Sequence, residues 1–169
     1  MHTQSPTLLK LTRAGTDDVH AITQLAETIW RVHYPSIIGN DQVEYMLKNL
    51  CSQDNVVEQM AKGQDFFFVD TDAIRIGYVA ISFPAQEEMF IHKFYIDSEE
   101  QGRGVGKKVF ANLLEQNPHV NSIRLTVNRK NYKSINFYFR LGFKIEEVKD
   151  FDIGEGYFME DFVMIWVRR

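Results

Sequence analysis

The chain has 169 residues, 44% of them apolar and 13% aromatic, which suits one domain over residues 1–169 with a sizeable core. Its net charge of −4 argues against a general nucleic-acid binder, which would carry a basic face, so no nucleic-acid partner is expected. A single cysteine, Cys51, excludes an internal disulfide and suits a reducing cytoplasm, and no apolar run nears the roughly 20 residues that span a bilayer, so no membrane partner is expected either.

Met1–Lys10 has no basic stretch followed by a long apolar one and does not read as a secretory leader. Thr7–Thr12 alternates and is expected as a first strand. Thr16 suits a helix N-cap, ahead of Asp17 and Asp18, whose charges favour a helix start. Val19, Ile22, Ala26 and Ile29 recur at helical spacing, which predicts an amphipathic helix over Asp17–His33 that Pro35 ends. Asp41–Leu50 is predicted as a second helix, with Val43, Met46, Leu47 and Leu50 on one face, and Asp54–Lys62 as its continuation until Gly63.

Asp65–Val69 and Ala73–Phe83 are expected as a hairpin turning at Thr71-Asp72, with Pro84–Gln86 as a breaker and Met89–Ile96 as the next strand. Val105, Val109, Phe110, Leu113 and Leu114 form a helical stripe that stops near Asn117-Pro118. Ser122–Val127 is a β-branched strand, and Tyr132–Leu141 a helix closed by Gly142. Phe143–Val148 and Tyr157–Val167 are the last strands, joined by a loop that contains Gly154 and Gly156. A central βαβα unit flanked by hairpins implies a mixed sheet with helices on both faces.

The chemistry concentrates between Met89–Ile96 and the helix after it, where Gln101-Gly102-Arg103-Gly104-Val105-Gly106-Lys107 opens the helix. Unpaired N–H groups and the helix dipole make such a start an anion site, and glycines let the backbone approach a phosphate. Arg103, Lys107 and Lys108 add positive charge. A Walker loop needs four residues between its glycines and then Lys-Ser/Thr, whereas Gly102 and Gly106 are separated by three and Lys108 occupies the Ser/Thr place. The dinucleotide fingerprint fails as well, because its third glycine comes one residue early. A glycine-rich connection without a ligand is the remaining alternative on this turn alone.

The spacing Gln/Arg-x-x-Gly-x-Gly/Ala is met by Gln101, Gly104 and Gly106. One strand later come Asn128-Arg129-Lys130-Asn131, Ser134-Ile135 and Phe137-Tyr138-Phe139-Arg140-Leu141-Gly142-Phe143, and before the turn stands Lys93-Phe94-Tyr95-Ile96. With these motifs the chain resembles the GNAT superfamily of acyl-CoA-dependent N-acetyltransferases over residues 64–148. The resemblance implies an α/β (α+β) fold: a mixed, mostly antiparallel central sheet of about seven strands with helices on both faces and a splay between the fourth and fifth strands. It implies acetyl-CoA as acyl donor, with the pantetheine arm pairing along Phe94, Tyr95 and Ile96, the pyrophosphate on the amides of Gln101, Gly102, Arg103, Gly104, Val105, Gly106 and Lys107, and Asn131, Ser134 and Phe137 beside the arm. A main-chain N–H of Phe94–Ile96 would polarise the thioester carbonyl.

Transfer to an amine needs a base for the ammonium and an acid for the departing sulfur. The resemblance puts Tyr138 at the acid position; a phenol is protonated at pH 7. The alternative is that Phe137, Tyr138 and Phe139 form a core-facing aromatic run, although three consecutive helical residues cannot all face inward. His92, on the strand that lines the reaction centre, is the proposed base, against the alternative of a packed strand histidine. Glu87 and Glu88 are further bases, or a solvated turn. Trp30, Tyr34 and Tyr45 fall in the region expected to form the acceptor wall, with Glu44 placed to meet a cationic amine, against ordinary helix packing. His20, His33 and His119 are too scattered for a metal site, and no metal is expected. The acceptor is expected to be the primary amine of a small cationic molecule such as a polyamine. A protein amine, which needs a long open groove, and a non-catalytic acyl-CoA-binding module are the alternatives, and a homodimer through the final strands is left open.

Overall fold

The computed structural model describes residues 8–72 and 74–169. One seven-stranded sheet runs through it in the order β1-β2-β3-β4-β5-β7-β6. Its strands are β1 (Leu9–Ala14), β2 (Asp65–Thr71), β3 (Ile74–Ala85), β4 (Glu88–Ile96), β5 (Ser122–Asn128), β6 (Lys144–Gly154) and β7 (Tyr157–Val167). Every neighbouring pair is antiparallel except β4 and β5, which are parallel and linked by a crossover helix. The helices are α1 (Val19–His33), α2 (Pro35–Ile38), α3 (Asn40–Leu50), α4 (Gln53–Ala61), α5 (Val105–Gln116) and α6 (Tyr132–Leu141). The mixed architecture with a central, mostly antiparallel sheet is the one expected.

Two cores sit on opposite faces of the sheet. Val109, Phe110 and Leu113 of α5 and Ile135 and Tyr138 of α6 pack on one face against Val79, Ile91, Leu125 and Met164. Ile22, Ala26 and Ile29 of α1, Met46 of α3 and Val56 of α4 pack on the other against Phe66, Phe68, Tyr78 and Ala80. Strand alternation explains the run of three phenylalanines: Phe66 and Phe68 enter one core, and Phe67 packs against the other.

Several boundaries differ from expectation for local reasons. The first strand lies over Leu9–Ala14; Thr7 and Ala73, included in predicted strands, fall outside the described residues, as do Met1–Pro6. Thr16 does not cap α1; it begins a 3₁₀ turn, Thr16–Asp18, after Gly15, and the Gly15 N–H donates to the Asp18 carboxylate at 2.9 Å. Pro35 does not only end α1 but starts the short α2, where its fixed φ suits the first helical position. The segment after Leu50 is a separate helix, because the Ser52 hydroxyl accepts from the Asn55 N–H and caps a new start. Pro84 stays within β3 at a shift of register between Ser82 and Ala85, where no ladder bond needs its missing N–H. β6 continues six residues beyond Val148, and no loop follows it: Glu155 (φ 52°) and Gly156 (φ 81°) make a two-residue hairpin turn.

Candidate active site

β4 and β5 pair only over Glu88–Ile91 and Ser122–Leu125. Beyond that, Lys93–Ile96 stay with β3 and Thr126–Asn128 stay with β7, so the two strands part and the sheet opens between them. The cause lies on β4. Ala80 faces Lys93 while Ile81 faces Ile91, which leaves His92 as an extra residue without a partner. Such a bulge bends its strand and increases its twist. Gly77 supports the same segment, since a Cβ there would stand 2.2 Å from the Tyr95 carbonyl oxygen.

The opening leads into a cavity of about 700 Å³. At one end lies the glycine turn. Gly102 (φ +85°) and Gly104 (φ +74°) hold left-handed backbone, and a Cβ at either position would meet nothing within 4 Å, so conformation and open access both favour glycine there. Gly104 precedes α5, whose first-turn amides have no partner within the helix. Gly106 has a different reason: its Cβ would meet Cζ of Phe137 at 2.8 Å, so it lets α5 pack on α6. The Gln101 amide donates to the Ile96 carbonyl at 2.8 Å and pins the turn to the end of β4. Of the residues expected to hold the donor, Phe94, Tyr95, Ile96, Gln101, Gly102, Gly104, Val105, Gly106, Lys107, Asn131, Ser134 and Phe137 line the cavity; Arg103 does not, and its guanidinium lies 3.5 Å from Glu100. Asn131 is 5% exposed and caps α6 by accepting from the Ser134 N–H, while its amide nitrogen lies 3.2 Å from Nε2 of His33. Lys133 and Arg140 of α6 add positive charge to this part of the wall.

Tyr138 also lines the cavity, with its ring among Phe94, Phe137 and Phe143. Burial, and then the neighbouring Tyr34, raise its pKa, which keeps the phenol protonated. Phe139, one residue on, is exposed, so the aromatic run divides as helical pitch requires. His92 reaches the cavity too, but its Nε2 lies 2.7 Å from the Ser82 hydroxyl, and burial followed by the charge of Lys93 lowers its pKa to about 4. It is a neutral imidazole at pH 7. Glu87 and Glu88 lie at the paired end of the two strands; Glu87 accepts from Asn121 at 2.9 Å and Glu88 stands 3.5 Å from Arg124.

On the α1–α3 side, Tyr34, Ile38, Gln42 and Met46 form the wall. The Tyr34 phenol donates to the Tyr95 hydroxyl at 3.1 Å, and burial raises its pKa to about 12. Trp30 is buried behind these two rings and does not reach the cavity, and the exposed Glu44 pairs with Arg31 on the outer face of the helices. The long β6–β7 hairpin arches over this side. Tyr45 donates to the Ile153 carbonyl and stacks at 4.8 Å on Tyr157, and Gln42 donates to the Phe158 carbonyl at 2.8 Å. These contacts tie the hairpin to α3 beside the cavity.

Asp161, which none of the sequence motifs includes, lines the cavity as well, with Met159. It is 1% exposed, and its Oδ1 has no hydrogen-bond partner among the described residues. The available signal is Glu160-Asp161 inside an apolar strand, where alternation forces one of two consecutive acids inward. Among the described residues no three His, Cys, Asp or Glu side chains group closely enough to hold a metal ion, and no helix is long and apolar enough to cross a membrane.

Residues 36–152 match the family described as the acetyltransferase (GNAT) domain. The chain is 20% identical over 151 residues to spermidine N(1)-acetyltransferase of Thermoplasma acidophilum, covering 85% of this chain and 93% of that protein. Its fold matches the crystal structure of the PaiA N-acetyltransferase of Thermoplasma acidophilum in complex with coenzyme A, with a TM-score of 0.76 and 20% identity over 95% of this chain and 99% of that one. The spermidine N-acetyltransferase of Vibrio cholerae in complex with CoA and spermine is similar at a TM-score of 0.67 and 20% identity, over 94% of this chain and 95% of that one. Family match, parted strands and glycine turn agree, and the chain belongs to the GNAT acetyltransferase family.

Proposed function

We propose that the protein transfers an acetyl group from acetyl-CoA to the primary amine of a small cationic molecule of the polyamine kind. The observation that carries this reading is a single cavity with a glycine turn at one end and a roofed, acid-containing chamber at the other, joined through the gap between β4 and β5. Acetyl-CoA supplies the acetyl group activated as a thioester. The residues around the opening suit it: amides from Gly102 to Lys107 for the pyrophosphate, the unpaired edge of β4 at Phe94–Ile96 for the arm, and Asn131, Ser134 and Phe137 alongside. An N–H on that same edge would polarise the thioester carbonyl. Tyr138 holds its proton at Oη at neutral pH and is the acid that a departing thiolate needs.

A small acceptor is favoured over a protein because the β6–β7 hairpin covers the acceptor side, where a polypeptide would need an open groove. The names of the two spermidine acetyltransferases point the same way. A purely acyl-CoA-binding module has no use for an acid at Tyr138. The reading fits a protein of the cytoplasm, where acetyl-CoA and polyamines meet. Calorimetry with CoA and a panel of amines scored for free-thiol release from acetyl-CoA test it together. CoA binding with thiol release on polyamines is the expected result; binding without release on any amine overturns the enzymatic reading.

A further inference from the structure

One buried titratable group in the cavity wall has no part in holding the donor. Asp161 pairs across the sheet with Asn128 at the parted end of β5, so its side chain shares the face of Asn128 and of Thr126 two residues earlier. This is the face that Tyr34 and the hairpin roof enclose. A carboxylate that is 1% exposed with an unpartnered oxygen is costly to keep, and this fold keeps it on the wall of the reaction cavity.

We propose that Asp161 binds the acceptor's ammonium group and removes its proton, leaving the amine free to attack. The inference rests on the acetyl-transfer reading and identifies the base within it. One N–H bond of the ammonium breaks, its electron pair stays on nitrogen, and the proton passes to the carboxylate and from there to solvent. Asp161, Tyr34 and Tyr138 all line the one cavity, so the base and the acid border one space.

The surroundings poise the carboxylate for this exchange. Burial raises its pKa to about 6, the Thr126 hydroxyl and the Arg129 guanidinium pull it down, and Asp150 on β6 pushes it up. Arg129 is itself shared with Asp150 at 2.9 Å and Glu160 at 3.9 Å, and Lys149, opposite Asp161 on β6, has its ammonium over the Phe151 ring. Asp161 is thus ionised at pH 7 yet a stronger base than His92, which titrates near 4 with its Nε2 engaged by Ser82.

The test uses Asp161→Asn in the full chain, with spermidine as acceptor. The variant should bind CoA like the wild type, bind spermidine in the CoA complex at least about tenfold more weakly, and lose about 10²-fold or more in kcat/KM at pH 7. Its remaining rate should climb about tenfold per pH unit with the uncharged fraction of the amine, without the wild-type bend near pH 6. Unchanged spermidine affinity, or turnover within about threefold of wild type, overturns the proposal. If Asp161→Asn does not fold, Arg129→Gln decides, because removing that charge should move the bend to higher pH, and a stationary bend overturns the assignment. A wild type that releases no thiol with any amine would instead overturn the acetyl-transfer reading.

Discussion

A Cβ at Gly106 would stand 2.8 Å from Cζ of Phe137, so the glycine turn and the helix carrying Tyr138 touch each other at a single missing methyl group. Gly106→Val should force the Phe137 ring aside, lower stability by about 1–3 kcal/mol and weaken CoA binding, as read by thermal melting and calorimetry. Gly104→Ala meets no neighbour and suffers only from its left-handed backbone, so its stability loss should be smaller, about 1 kcal/mol.

Tyr138→Phe removes one hydroxyl from a ring packed against Phe94, Phe137 and Phe143. CoA affinity should stay near wild type while kcat falls by roughly 10²–10⁴-fold. Single-turnover thiol release is the measurement, and an unchanged kcat would return Tyr138 to a packing role.

The pH dependence of stability contains two opposed contributions. His92, held near 4 in the fold against an ordinary 6.5, contributes stability that is present above pH 6.5 and lost as pH falls toward 4. Asp161 behaves oppositely: with a folded pKa near 6 against an ordinary 3.8, its burial costs stability above pH 6, and that cost is relieved as pH falls toward 3.8. Asp161→Asn should therefore melt no lower than wild type at pH 7 but lose stability more steeply between pH 6.5 and 4, as a melting series across pH would show.

The tie between α3 and the hairpin can be loosened without touching the glycine turn. Tyr45→Phe loses the hydrogen bond to the Ile153 carbonyl, worth about 0.5–1.5 kcal/mol, while keeping the ring against Tyr157. The expected outcome is a raised KM for the amine with KM for acetyl-CoA unchanged, measured by varying each substrate in turn.

The limits of α6 and β7 are legible in the sequence because each has a clean period, 3.6 in one and 2 in the other, and a glycine where it turns. β6 runs six residues past its predicted end because it is an edge strand exposed along most of its length, so Lys144, Glu146, Lys149 and Asp150 leave no apolar alternation to detect. At the cavity, the glycine-turn end is legible from contiguous motifs, whereas the wall on the α1–α3 side depends on how distant elements rotate. Glu44 and Trp30 lie on the helices expected, yet Arg31 draws Glu44 outward and the tyrosine pair covers Trp30. Asp161 becomes a cavity residue only when β7 meets β5 at Asn128.

The extra residue on β4 has a consequence for the chain's possible shapes. With His92 deleted, Ile91 and Lys93 would become consecutive partners of Ile81 and Ala80, and every other side chain of the strand would keep the core it already faces. Such a chain would be a more regular sheet, free to zip β4 to β5 along their whole length. It would gain ladder bonds and have no gap to reach across. The irregularity at His92 thus holds the sheet open, and mending it would make a better-ordered protein that has lost the way into its own cavity.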